Sequence, residues 1–164
     1  MREKMNVPES MKATLQSWNG GAGIELREWV GCKGDFSLAV GYTTIFCPEF
    51  IEFEDYVLSR GELSDDAIRA IRGFESREGS TPMSVEWVMN HIHLADLQYA
   101  GCPDLTEDKL LILGEALQKI YAARLHYLFP EKPCIVEFYK PEDPAELVEY
   151  QLSFWQRKHD PNYA

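Results

Sequence analysis

The chain has 164 residues, 45% of them hydrophobic and 26% charged, which suits one globular domain spanning 1–164 and excludes a disordered chain. Sixteen Lys and Arg against 27 Asp and Glu leave a net charge of −11 and a pI near 4.8. That balance excludes a general nucleic-acid binder, whose affinity comes from neutralising phosphates.

The opening MREKMNVPESMK holds no apolar signal core. The longest aliphatic run, Leu110 to Leu113, is far below the ~20 residues that cross a bilayer. The expectation is a cytosolic protein without membrane contact. Cys32, Cys47, Cys102 and Cys134 lie 15, 55 and 32 residues apart, so no CxxC half-site for zinc exists. They read as free, mostly buried thiols, and no cofactor motif is present.

In chain order, a short helix is expected over Glu9 to Ser17, followed by a break at Trp18 to Gly23. The glycines there precede an expected strand, the reverse of the strand–loop–helix context that cradles phosphate, so they read as a turn. Ile24, Leu26 and Val30 share a face at period two, as do Phe36, Leu38, Val40 and Tyr42. With Gly31 to Asp35 between them, the two runs predict a β-hairpin. A third strand is expected over Phe50 to Leu58.

The pattern then turns helical. Ser64 before Asp65 and Asp66 marks a helix start, and this helix should fade near Gly73. Thr81-Pro82 opens a second helix, with Val85, Val88, Met89, Ile92, Ala95 and Tyr99 at helical spacing. A third runs from Thr106 to Phe129 and ends before Pro130. Cys134 to Tyr139 reads as a strand. In the closing stretch Val148, Leu152 and Trp155 fit a helix, whereas Tyr150, Leu152 and Phe154 alternate as in a strand, and the aromatic enrichment favours a strand over Glu149 to Gln156 after one helical turn. The fold class expected is α+β, a mostly antiparallel sheet of about five strands covered by three to four helices.

Three constellations carry chemistry. On a helix continuing past Asn90, His91 and His93 stand about 200° apart and cannot chelate one ion, so no metal is expected. Asp96 falls within the apolar stripe of the second helix, and Arg124 falls on an apolar face of the third. A charge on a buried face needs a partner, so an Asp96–Arg124 ion pair is expected, with His93 one turn before Asp96 as a third member. Gly114, on the same face as Arg124, is read as permitting close approach.

The third constellation is acidic. Glu49, Glu52, Glu54, Asp55, Glu62, Asp65 and Asp66 face only Arg60, leaving −6 between residues 49 and 66. On a single strand Glu52 and Glu54 share a face, their Cα atoms about 7 Å apart. Clustered like charge focuses a field that speeds encounter with a basic partner. Trp87 and Leu94 make the second helix apolar on two flanks, so it is either sandwiched centrally or offers a surface to a partner or a second copy.

The leading expectation is a non-catalytic module that binds a basic macromolecular partner through the acidic face, in the manner of an inhibitor or antitoxin. The alternative is a small-molecule-binding protein or hydrolase-type enzyme using His93, Asp96 and Arg124 between two helices. A pocket converging on those side chains would favour the alternative.

Overall fold

A computed structural model describes residues 7–98 and 102–163. Pro8 leads into helix α1 (Glu9–Gln16). The Ser10 backbone N–H and hydroxyl both donate to the Asp108 carboxylate, at 2.7 and 3.0 Å, which ties α1 to a helix almost a hundred residues later. Gly20, Gly21 and Gly23 follow with φ of +66°, +95° and +90°, the left-handed region that glycine enters freely. This stretch is the turn its composition suggests.

The expected hairpin is not formed. Its two runs are helices, α2 (Leu26–Lys33) and α3 (Phe36–Phe46). Each has a start signal that outweighs the period-two pattern. The Glu28 carboxylate accepts from the Glu25 backbone N–H at 3.2 Å, and the Asp35 side chain accepts from that of Leu38 at 2.8 Å. The residues taken for a β-turn are therefore the end of one helix and the cap of the next. In α3, apolar residues occur on every side, so any period can be found in it.

The single strand expected over Phe50 to Leu58 is instead a tight hairpin of β1 (Ile51–Phe53) and β2 (Tyr56–Leu58). Glu54, with φ +52°, makes the turn together with Asp55. Glu52 and Glu54 thus do not share a strand face. Helix α4 (Asp65–Glu75) starts at Ser64, whose hydroxyl accepts from the Ala67 N–H at 3.2 Å, and continues past Gly73.

Helix α5 (Pro82–Asn90) is held by a reciprocal cap. Thr81 N–H donates to the Ser84 hydroxyl at 2.9 Å, and Ser84 N–H to that of Thr81 at 3.2 Å. It stops at Asn90, shorter than its apolar spacing predicts. There the side chain donates to Val57 O (2.9 Å) and Phe154 O (3.1 Å) and accepts from Ser59 N–H (2.9 Å). The chain beyond becomes β3 (Ile92–His93) and a 3-10 turn over Leu94–Leu97. Tertiary hydrogen bonds override the helical pattern here.

Helix α6 (Glu107–Leu128), strand β4 (Cys134–Tyr139), a 3-10 turn over Leu147–Glu149 and strand β5 (Gln151–Gln156) all match the sequence reading. The architecture is α+β, with two small antiparallel sheets in place of the single sheet expected: β1–β2, and β3–β5–β4 in that order. The described residues hold six α-helices, more than the three to four expected. None is long and apolar enough to cross a membrane.

The main core lies between α6 and the three-stranded sheet. Leu110, Gly114, Leu117, Tyr121 and Leu125 form the buried stripe of α6, facing Phe138, Leu152 and Phe154. Phe50 sits edge-on to both Tyr121 and Phe154, with ring centroids 5.4 Å apart in each pair. A smaller core joins Tyr56, Leu58, Ile71 and Val85. Gly114 does permit close approach, of a strand side chain rather than a helix: a Cβ there would lie 2.2 Å from Phe138 Cζ.

Candidate functional site

The expected His93–Asp96–Arg124 cluster is not assembled. Among the described residues no ion pair joins Asp96 to Arg124, because α5 ends before residue 96 and Asp96 lies exposed on the 3-10 turn. Arg124 instead donates through Nη2 to Pro48 O at 3.2 Å, and its buried Nε has no hydrogen-bond partner among the described residues. His93 is hydrogen-bonded through Nδ1 to Val148 O at 2.8 Å. The strand conformation brings the two imidazoles of His91 and His93 together, edge to face at 5.3 Å. That differs from the helical geometry expected, yet no group of three or more potential metal ligands occurs among the described residues.

Trp87 is engaged within the chain. Its ring stacks on His91 at 6.1 Å, and Nε1 donates to Glu137 at 3.4 Å. The flank read as a dimer surface is thus partly occupied by the protein's own groups.

The acidic segment is largely compensated from within. Glu52 pairs with Lys132 at 2.5 Å, Glu54 with Arg72, Asp66 with Arg69, and Asp55 with Lys158 and His159. Lys158 is the main reason that the Asp55 carboxyl lies below its usual range. Glu49, Glu62 and Asp65 form no ion pair among the described residues. The hairpin turn sends Glu54 and Asp55 toward cations of α4 and of the chain's end, which a sequence count cannot reveal.

What the fold does create is a cavity of about 660 Å³. Tyr42, Ile45 and Phe46 of α3 form one wall, and Leu110 and Leu113 of α6 form another. The Leu94–Leu97 turn, Leu105 and Val148 complete its lining. Its interior is mostly apolar and its volume lies within the range of small-molecule sites.

Polar groups gather among its lining residues. Gln98 donates to the Tyr42 hydroxyl. Lys109 reaches Asp104 Oδ2 at 3.3 Å and also donates to the Asp104 carbonyl. The Cys102 thiol donates to Asp104 Oδ1 at 2.9 Å. The thiol contact first, and then Lys109, hold the Asp104 carboxyl below its usual range. A carboxylate so engaged is a weak base, so the Cys102–Asp104 contact does not make an activated nucleophile.

Sequence reasoning missed this pocket because α3 was placed in a sheet. One signal was present: from Phe36 to Phe46 the chain carries no charge, yet none of these residues is buried. A second hollow, of about 480 Å³, shares Ile45 and Leu97 with the first and includes Glu49 and Arg60. The four cysteines are free, but Cys32 and Cys47 are exposed, contrary to the expectation of mostly buried thiols.

No family model, curated protein or solved structure matches the chain.

Proposed function

We propose that this protein binds a small, largely apolar molecule in the cavity between α3, the Leu94–Leu97 turn and α6, without chemical conversion. The observation that carries the reading is the cavity itself, about 660 Å³ with a mostly apolar interior and polar groups confined to a few lining residues. Each buried methylene of a ligand contributes about 0.8 kcal/mol, so affinity should rise with chain length until the cavity is full. Four cysteines with no disulfide suit a reducing cytosol as the place of action.

The test is thermal stabilisation by a series of linear alcohols of increasing length. Saturable stabilisation that grows with length and then levels off is expected, and Ala95→Trp, which takes up part of the cavity, should weaken it and make it level off at a shorter chain. Absence of saturable binding across the series would end the proposal.

A docking face for a basic partner is the second reading, and it rests on Glu49, Glu62 and Asp65, acids of the segment that form no ion pair among the described residues. Capture of a basic protein that weakens steeply between low and high salt, and is lost when those three are changed to Gln or Asn, would favour it.

A further inference from the structure

Resting on the ligand-binding reading, we propose that the cavity prefers an apolar molecule with a protonated amine head, seated at Asp96. Three charged side chains line the cavity: Asp96, Asp104 and Lys109. Lys109 and Asp104 are paired with each other, 3.3 Å apart. Asp96 is the carboxylate left over. It is exposed at the edge of the apolar space and has no ion pair among the described residues.

A cationic head placed there gains an opposite charge without disturbing the Asp104–Lys109 pair. Its tail would remain among Leu94, Leu110 and Leu113. An anionic head meets a carboxylate, and Lys109, the only ammonium among the described lining residues, is already engaged. Two further features act in the same direction. Tyr42 and Phe46 present aromatic rings to the cavity, and ring faces attract ammonium groups. The chain's net charge of −11 raises the local concentration of cations over anions.

The experiment compares decylamine, decanol and decanoate, all below micelle-forming concentrations, by titration calorimetry at pH 7. The protein and its Asp96→Asn variant are measured at low and high salt. Because Asp96 is exposed and unpaired, the variant should fold normally, which circular dichroism verifies. The amine should bind about fivefold tighter than the alcohol, the scale of one partly solvated ion pair, and the carboxylate should bind weakest. Asp96→Asn should remove the amine's advantage over the alcohol.

Equal affinities, a preference for decanoate, or an amine preference that survives Asp96→Asn would overturn the head-group assignment while leaving the cavity a binding site. Failure of all three compounds to bind would overturn the cavity reading as well.

Discussion

The carboxylate of Glu86, on α5, lies 2.9 Å from Nδ1 of His159, and Glu86 has no solvent exposure at all. Four donors converge on it. Val57 N–H (2.8 Å) and Gln156 Nε2 (2.7 Å) donate to Oε1, while Gln156 N–H (2.8 Å) and His159 share Oε2. The opposite ring nitrogen of His159 faces Asp55 at 3.3 Å. Glu86 and Asn90, one turn apart on α5, thereby join β2 to β5 through side chains where no sheet ladder does.

Glu86→Ala should therefore destabilise the protein by about 3–5 kcal/mol, since it strands several buried donors at once. His159→Ala should cost less, because three of the four donors to Glu86 remain. Urea unfolding of both variants checks the order. A Glu86→Ala midpoint equal to that of the parent protein would show that the convergence is not maintained in solution.

Gly114→Ala should also destabilise, by about 1–3 kcal/mol, although alanine favours helix over glycine by ~1 kcal/mol. The new methyl would collide with the Phe138 ring, which lies over Gly114 in the core. The double variant with Phe138→Leu should recover part of the loss. Thermal melts of the three proteins decide the matter.

Asp108 gives a pH signature. Its carboxyl is held down to about 2 by the Thr106 hydroxyl first, and then by the Ser10 backbone N–H. A folded-state pKa below the unfolded one means that the folded form resists protonation. The stabilisation is then fully present above about pH 4 and fades as pH falls toward 2. The stability difference between the parent protein and Asp108→Asn should be constant from pH 5 to 7 and shrink steadily below pH 4. A difference that persists to pH 2 would contradict the assignment.

The thiols should separate by reactivity. Cys32 and Cys47 are exposed and should react rapidly with a maleimide. Burial pushes the Cys134 thiol up to about 12, so it should react orders of magnitude more slowly. Cys102 lines the cavity, and a bound alcohol should slow its labelling without affecting Cys32. Peptide mapping after timed quenching reads all four.

Helices with a local start signal, α4 and α6, were legible in the sequence, as was β4 from its β-branched and aromatic run, whereas the strand after the Leu147–Glu149 turn also fitted a helical pattern and was favoured by its aromatic residues. The failures have distinct physical origins. In α3 the apolar residues surround the helix, so alternation from Phe36 to Tyr42 imitated a strand although Asp35 was already a cap. At Asn90 a helical pattern continued in the sequence after hydrogen bonds to β2 and β5 had ended the helix. The expected Asp96–Arg124 pair fell with that helix. The acidic segment was visible as charge, but its neutralisation by Lys132, Arg72 and Lys158 depends on contacts between distant parts of the chain. The cavity was illegible for the same reason, since residues 42 to 148 contribute to it.

Helix α3 carries a last consequence. Phe36 and Val40, 91% and 68% exposed, point away from the chain, while Tyr42, Ile45 and Phe46 border an empty space. Ile45 and Phe46 tie this helix to the main core. On the ligand-binding reading proposed above, a guest in the cavity would add to that packing, and local opening of residues 36–46 would be linked to loading. Amide exchange across this segment should slow in proportion to occupancy, while β5, anchored in the main core, keeps its protection whether or not a guest is present.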